Sequence, residues 1–477
     1  MTADSGATCR QRRWARSDEM VRRYLLIAVA AHVILGIVLR WSPIASTVYV
    51  GATLLVALVV VLTARDIDDV TVAVAYIVAT EVLWRMTDSH FFFEGTKYAM
   101  VALLVIASFR FFPGWRPAIV PAVFLASFAA SVVLSVQSFG GIIAARQPIS
   151  FNVAAPIGLA FAVWFFSQAR PTLARFRMAI WAMVLPMVSI ATITLVNTIS
   201  AGSITFQTQS NLTTSGGFSP NEVSSALGFG VLAAVVLAAT ERDLWLRLLE
   251  IGLACWLFVE AVLTLSRGGV ANVVIALLLA VVMLASLARD LSRFALLAAV
   301  VLVACGALFL PSINAFTGGH LLSRYQSSST SRRDLIVRSD LDLFQSHPLL
   351  GVGIGVSQEM RPARITHQEA HTEYTRLLAE QGLFGVVALV AMLVMVIAPF
   401  RRAPRGLPRA LAAAFVSWSL VEMTHSATRL ALTSFSIGLA VLVAGMVTEH
   451  QRPRSGEDEE PVGQQATDAG STHQEQR

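Results

Sequence analysis

Apolar residues along this chain gather into long uninterrupted blocks, and polar residues gather between them. Most blocks run roughly 17 to 22 residues, the length an α-helix needs to cross hydrocarbon. They lie near residues 25–39, 46–64, 70–84, 98–112, 118–136, 152–168, 178–197, 223–239, 244–265, 270–287, 294–310, 382–400, 407–423 and 431–448. No strand-like alternation recurs often enough for a barrel, so the blocks predict helices. The expected fold class is an all-α polytopic membrane protein of about 12–14 transmembrane helices.

Two polar stretches are too long for bare connectors. Residues 198–222 form one, and residues 311–381 form a much larger loop expected to contain short helices. The expected organisation is a tail over 1–23, spans over 24–310, the large loop over 311–381, spans over 382–448 and a disordered tail over 449–477. That last stretch, rich in Glu and Gln, has too few apolar residues to build a core.

Charge orients these segments. Arg10, Arg12, Arg13, Arg16, Arg22, Arg23, Arg110, Arg116, Arg289, Arg293 and the run "FRRAPRGLPR" all fall on one side, and the alternate short loops carry few basic residues. The positive-inside rule places that side, with both termini, in the cytoplasm and the 311–381 loop outside. The protein is thus expected as a multi-pass inner (plasma) membrane protein. The N-terminal basic region and apolar run lack a small-residue cleavage site, so they read as an uncleaved first span.

Composition agrees. Of 477 residues, 55% are hydrophobic and 14% charged, and the mean hydropathy is +0.66. The net charge of +6 belongs to topology signals between spans, not to a nucleic-acid surface. Cys9, Cys255 and Cys305 have neither disulfide nor zinc spacing.

The candidate chemistry sits at the edges of the spans. "WLFVEAVLTLSRGG" is read as a span ending in Arg267, with Gly268 and Gly269 allowing a close approach and Glu260 seven residues deeper on the same face. In the large loop, "SRRDLIVRSDLDLFQSHP" predicts a helix with Val337, Leu341 and Phe344 on its apolar face and Ile336 beside them. "THQEAHTEYTRLLAEQG" predicts a second helix, opened near His367 by a Thr366–Glu369 capping box, with His371 on the face of Leu378. "GVGIG" at 351–355 is a turn, because no strand precedes it. Asp340 and Asp342 resemble a metal-binding pair, but on a helix they diverge by roughly 200°. No metal site is expected.

Three stretches in order, "LTLSRGGVANVVIALLL", "SRRDLIVRSDLDLFQSHPLLGVGIG" and "AHTEYTRLLAEQGLFGVVALV", resemble the O-antigen ligase and O-antigen polymerase family of membrane glycosyltransferases. "FSPNEVSSALGFGVL" and "THSATRLALTS" resemble two further segments of that family, so the likeness covers roughly residues 200–440. The chain departs from the pattern in carrying Val337 where an aromatic is common and Arg429 where an aspartate often stands.

The resemblance implies a GT-C-like fold and transfer of a glycan from a polyprenyl diphosphate carrier, such as undecaprenyl diphosphate, in cell-envelope polysaccharide biosynthesis. The implied partners are that donor, a glycan or lipid-glycan acceptor and membrane lipids, with no cofactor and no nucleic acid. Arg267 and Arg333 would stabilise the departing diphosphate by forked hydrogen bonds. His371 would take the acceptor proton or orient the acceptor. Arg332, Arg338, Glu260, Tyr374 and His425 stand beside them as substrate-binding candidates, and Arg332 is the alternative to Arg333. The rival is a transporter or flippase for lipid-linked glycans, which would need charges along a midplane path such as Glu81, Glu260 and Glu422.

Overall fold

The structure is a computed structural model that describes residues 4–112, 118–285, 306–327, 333–366 and 370–447, with Val303 and Gln368. The first half contains α1 (Asp4–Trp41), α2 (Pro43–Thr63), α3 (Ile67–Ala79), α4 (Glu81–Met86), α5 (Gly95–Phe111), α6 (Ile119–Ala126), α7 (Ala129–Ser138), α8 (Ile142–Phe166) and α9 (Leu173–Ser200). Then follow α10 (Pro220–Thr240), α11 (Leu244–Leu263), α12 (Arg267–Ala285) and α13 (Gly306–Phe316). The remainder is α14 (His320–Gln326), α15 (Arg333–Ser346), α16 (Glu373–Gln381), α17 (Leu383–Arg402), α18 (Leu407–Glu422) and α19 (Ala431–Ala444).

There is no strand among the described residues, and 7 helical stretches, one of them α6 together with α7, are long and apolar enough to cross a membrane. The protein is a polytopic all-helical membrane protein. Every block named above falls on helix except 294–310, most of which lies outside the described residues, as do 449–477.

Two blocks are not single helices. The 70–84 block bends at Thr80, whose hydroxyl donates to the carbonyl of Ile77 at 2.7 Å. The 118–136 block divides at Ser127, whose hydroxyl turns back onto Phe124 O at 2.6 Å. Side-chain hydroxyls competing for carbonyls bend helices in this way.

The centre is built from α9, α10, α12, α18 and α19, with α10 packed on α9, α11 and α12, and α18 on α12 and α19. Phe229 meets Trp418 edge to face, with centroids 4.9 Å apart. A Cβ on Gly228 would stand 2.4 Å from the carbonyl oxygen of Gly269, so α10 and α12 approach backbone to backbone. Small residues allow such close helix contact within a membrane. By contrast α1 and α2 expose Ile27, Ile34, Val48, Leu55 and Val59, as lipid-facing helices do.

α15 and α16 pack on each other, and α16 packs on α17. The buried side of α15 is Ile336, Asp340 and Leu343, while Leu341 is exposed. The expected face of Val337, Leu341 and Phe344 is therefore displaced. The reason is a buried ion pair: Asp340 meets Arg361 at 2.8 Å, which turns that side of the helix inward.

Candidate functional site

The site begins at an elbow. α11 stops at Leu263, and Leu265 takes a left-handed conformation (φ 54°) before Arg267 opens α12. Arg267 thus starts a span rather than ending one. The elbow is pinned by Thr214, which donates to Leu263 O at 2.6 Å, and by Ser266, which donates to Asn221 at 2.8 Å. From there Arg267 reaches Ser327 O at 2.6 Å, beyond α14. Arg324, on α14, reaches back to Leu265 O at 3.2 Å.

Glu260 does not share this site. The helix break intervenes, and its carboxylate accepts from Thr194 at 2.9 Å and Trp256 at 3.3 Å, towards α9.

The large loop is held by buried charge. Asp340 accepts from Arg361 at 2.8 Å and from Thr375 at 2.9 Å, so it ties α15 to α16 and does not pair with the exposed Asp342. Arg376 bridges Glu373 and Glu380, and Glu380 accepts from Gly355 N at 3.0 Å and Ser357 at 2.9 Å. Gly351, Gly353 and Gly355 all have positive φ, and added Cβ atoms there would strike Glu380, Ser135 and Pro148. The "GVGIG" turn is glycine-rich because it wraps closely around the end of α16.

The α16 helix starts at Glu373, not near His367. Thr366 is unavailable as a cap, since its hydroxyl donates to the carbonyls of Arg361 and Pro362. His371 consequently lies ahead of the helix, one residue before its N-cap Thr372. Tyr374 donates to Leu420 O at 2.9 Å, and Glu373 N donates to Met423 O at 2.9 Å, which seats α16 on the end of α18.

The third contribution comes from the loop between α18 and α19. Ala427 N donates to His371 O at 3.2 Å, and Arg429 donates to Ala370 O at 3.0 Å. His425 packs where a Cβ on Gly268 would stand, 2.5 Å from its ring. It donates from Nε2 to Asn272 at 2.9 Å, and Asn272 in turn donates to Glu422. Ser225 donates to the same carboxylate at 2.9 Å.

Positive charge dominates what results. Arg333, the first residue of α15, is held below the usual guanidinium range, by burial first and then by Arg267, Arg429 and Arg324, with Glu422 opposing. His371 is pushed down to about 3, again by burial first and then by Arg429, Arg333 and Arg361. Its imidazole is neutral at any physiological pH. Arg333 Nε, His371 Nδ1 and Glu422 Oε1 are buried with no hydrogen-bond partner among the described residues. Buried polar atoms left open in this way mark a place for a polar ligand.

Residues 252–390 match the family model described as O-Antigen ligase. Over that stretch the chain is similar to the O-antigen ligase family. No curated protein matches the chain. The matched stretch contains Arg267, Arg324, Arg333 and His371, while Asn221 and Ser225 precede it and Glu422, His425 and Arg429 follow it.

The structure therefore brings Arg267, Arg333, His371 and His425 together around one centre. It does not bring Glu260 or Tyr374 to it, since both are engaged elsewhere. Arg338 is exposed, five residues and so ~140° around α15 from Arg333. Arg332 lies outside the described residues.

Arg324, Asn272, Glu422 and Arg429 are additions that the sequence reading did not place in the site. Asn272 alone carried a usable signal, a polar residue in the first turns of an apolar span directly after Arg267.

Proposed function

We propose that this protein moves a glycan from a polyprenyl diphosphate carrier to an acceptor hydroxyl on the extracytoplasmic side of the inner membrane, without a metal ion. The observation that carries the reading is the gathering of Arg267, Arg324 and Arg429, from three other elements, around Arg333, with Arg333 and Arg429 also acting on a neutral histidine. A diphosphate is the ligand whose charge suits several guanidiniums held together at their own cost.

The carrier's hydrocarbon also has a place. A cavity of ≈660 Å³ lies between α11, α12, α13 and α14, lined by Phe258, Val270, Val274, Leu310 and Tyr325. Val270 is one turn from Arg267, and Tyr325 adjoins Arg324. Apolar lining directly beneath a basic rim suits a lipid diphosphate.

In the transfer, the acceptor oxygen forms a bond to the anomeric carbon as the bond from that carbon to diphosphate breaks. The electron pair leaves with the diphosphate, where the arginines take up the developing charge. The acceptor proton goes to the open Nδ1 of neutral His371. Bound diphosphate would offset the surrounding positive charge and so raise the basicity of that imidazole. Asp340 takes no part in a metal site, because Arg361 and Thr375 already occupy its oxygens.

The test is incubation of the purified full chain with a labelled polyprenyl-diphosphate oligosaccharide and acceptor, with and without chelator. Chelator-insensitive transfer, abolished in His371→Ala with donor binding retained, is the expected result. Near-normal transfer by folded His371→Ala removes the base, and rescue of a chelated sample by magnesium or manganese removes the metal-free mechanism.

A further inference from the structure

At the opposite end of the molecule from the arginine cluster, a second cavity opens. α8 meets α16 part-way along, where Arg376 donates to Asn152 O, while α17 and α19 start beside the loop elements at Leu383 and Ala431; all three run on to Phe166, Arg402 and Ala444. Around those far ends, together with the start of α6, lies a cavity of ≈650 Å³ walled by residues such as Ile119, Trp164, Val394 and Val441. Two guanidiniums stand at its rim, Arg170 and Arg402, both exposed. Arg170 is pinned there through one nitrogen, which donates to Ala169 O at 2.8 Å and Ser167 O at 3.1 Å. Among the described residues, no Asp or Glu lines the cavity.

The walls belong to apolar helices that cross the membrane, so hydrocarbon fills such a space more favourably than water. Two cations at its mouth, with no acidic neighbour lining it among the described residues, select a negative headgroup, and the length of the cavity walls suits an attached chain. We propose that this cavity binds one anionic phospholipid of the adjacent leaflet, with its phosphate on Arg170 and Arg402 and an acyl chain between α6, α8, α17 and α19. The site is independent of the proposed transfer chemistry.

Binding there would brace α17. That helix exposes Leu383, Val387, Val390, Leu393 and Ile397, and its other end continues through Gly382 into α16, which carries the approach to His371. A ligand that binds the folded state alone raises its melting temperature.

The test titrates delipidated full-length protein with phosphatidylglycerol, phosphatidylcholine or glycerol 3-phosphate, read by native mass spectrometry and thermal unfolding. One phosphatidylglycerol should be retained on the order of tenfold more tightly than phosphatidylcholine and should raise the melting temperature. Arg170→Gln with Arg402→Gln should erase the preference, whereas Arg401→Gln with Arg405→Gln, on the same surface outside the cavity, should keep it. Val394→Trp, which fills the cavity and leaves both arginines, should also lose the lipid. Equal retention of both lipids, equal loss in the Arg401/Arg405 pair, retention by Val394→Trp, or displacement by glycerol 3-phosphate would each overturn the proposal.

Discussion

The guanidinium of Arg429 donates to the carbonyl oxygen of Ala370 at 3.0 Å, which fastens the α18–α19 loop to the residue before His371. The same arginine is the largest charge acting on the His371 ring, after burial itself. One side chain thus positions the histidine and keeps it neutral. An aspartate at 429 would raise the basicity of His371, and the arginine found here lowers it.

That relationship sets the pH behaviour. His371 sits below its ordinary value, at about 3, so the free protein holds it unprotonated from acid pH upward. The acid limb of kcat/KM, which reports the free enzyme, should therefore lie below pH 5 as far as His371 is concerned. Arg429→Gln removes a positive neighbour, favours imidazolium and should move that limb upward. Arg429→Lys keeps the charge and should leave it in place. Equal shifts in both variants would show that position, not charge, is responsible.

Lysine should fail where the fork matters. Arg267→Lys and Arg333→Lys should each lower transfer by about 10- to 100-fold, the scale of a charge-assisted hydrogen bond. Arg338→Lys, exposed and turned away from Arg333, should remain near wild type. Parallel rate measurements on the three purified variants decide it, and a loss in Arg338→Lys equal to that in Arg333→Lys would place the site on the other face of α15.

The Asp340–Arg361 pair has both side chains fully buried, so removing either partner strands the other charge. Asp340→Asn should cost about 3–5 kcal/mol of stability. Asp340→Asn combined with Arg361→Met should cost less than the sum of the single changes. Thermal or denaturant unfolding of the four proteins closes the cycle, and additive losses would deny the coupling.

Parts of this architecture were legible in the sequence because they are local. Each apolar block announces its helix, and Arg267, Arg333 and His371 stand out as polar residues at the margins of such blocks. The elbow before Arg267 was not legible, because Leu265 takes its left-handed turn without a glycine to signal it. The start of α16 was misread for a similar reason: the hydroxyl of Thr366 closes the preceding turn instead of capping the helix. The Glu422–Asn272 and Arg429–Ala370 contacts join residues far apart in the chain, and no periodicity encodes such meetings.

Topology is tested by labelling. In a background lacking Cys9, Cys255 and Cys305, single cysteines replacing the exposed Ser323 and Arg405 should react with an impermeant thiol reagent from opposite sides. The asymmetry of arginines requires Ser323→Cys to label from outside and Arg405→Cys only after permeabilisation. Labelling of Arg405→Cys in intact cells would invert the orientation and move the site to the cytoplasm.

Glu422 offers the sharpest separation of binding from chemistry. Its carboxylate is fully buried, accepts from Ser225 and Asn272, and opposes the neighbouring positive charge on Arg333. Through Asn272 it also fixes His425 with its proton on Nε2. Glu422→Gln keeps the shape of the side chain and removes the charge. Without that charge the site is more positive, so an anionic donor should bind severalfold more tightly. Its amide can donate where the carboxylate could only accept, which disturbs the Asn272 orientation and, with it, His425. Transfer should then fall while donor affinity rises. Donor binding measured by equilibrium titration, beside single-turnover transfer, separates the two effects. A parallel fall in both would instead show that Glu422 acts by holding α12, α18 and α10 together, and a circular-dichroism melt of the variant would display that loss directly.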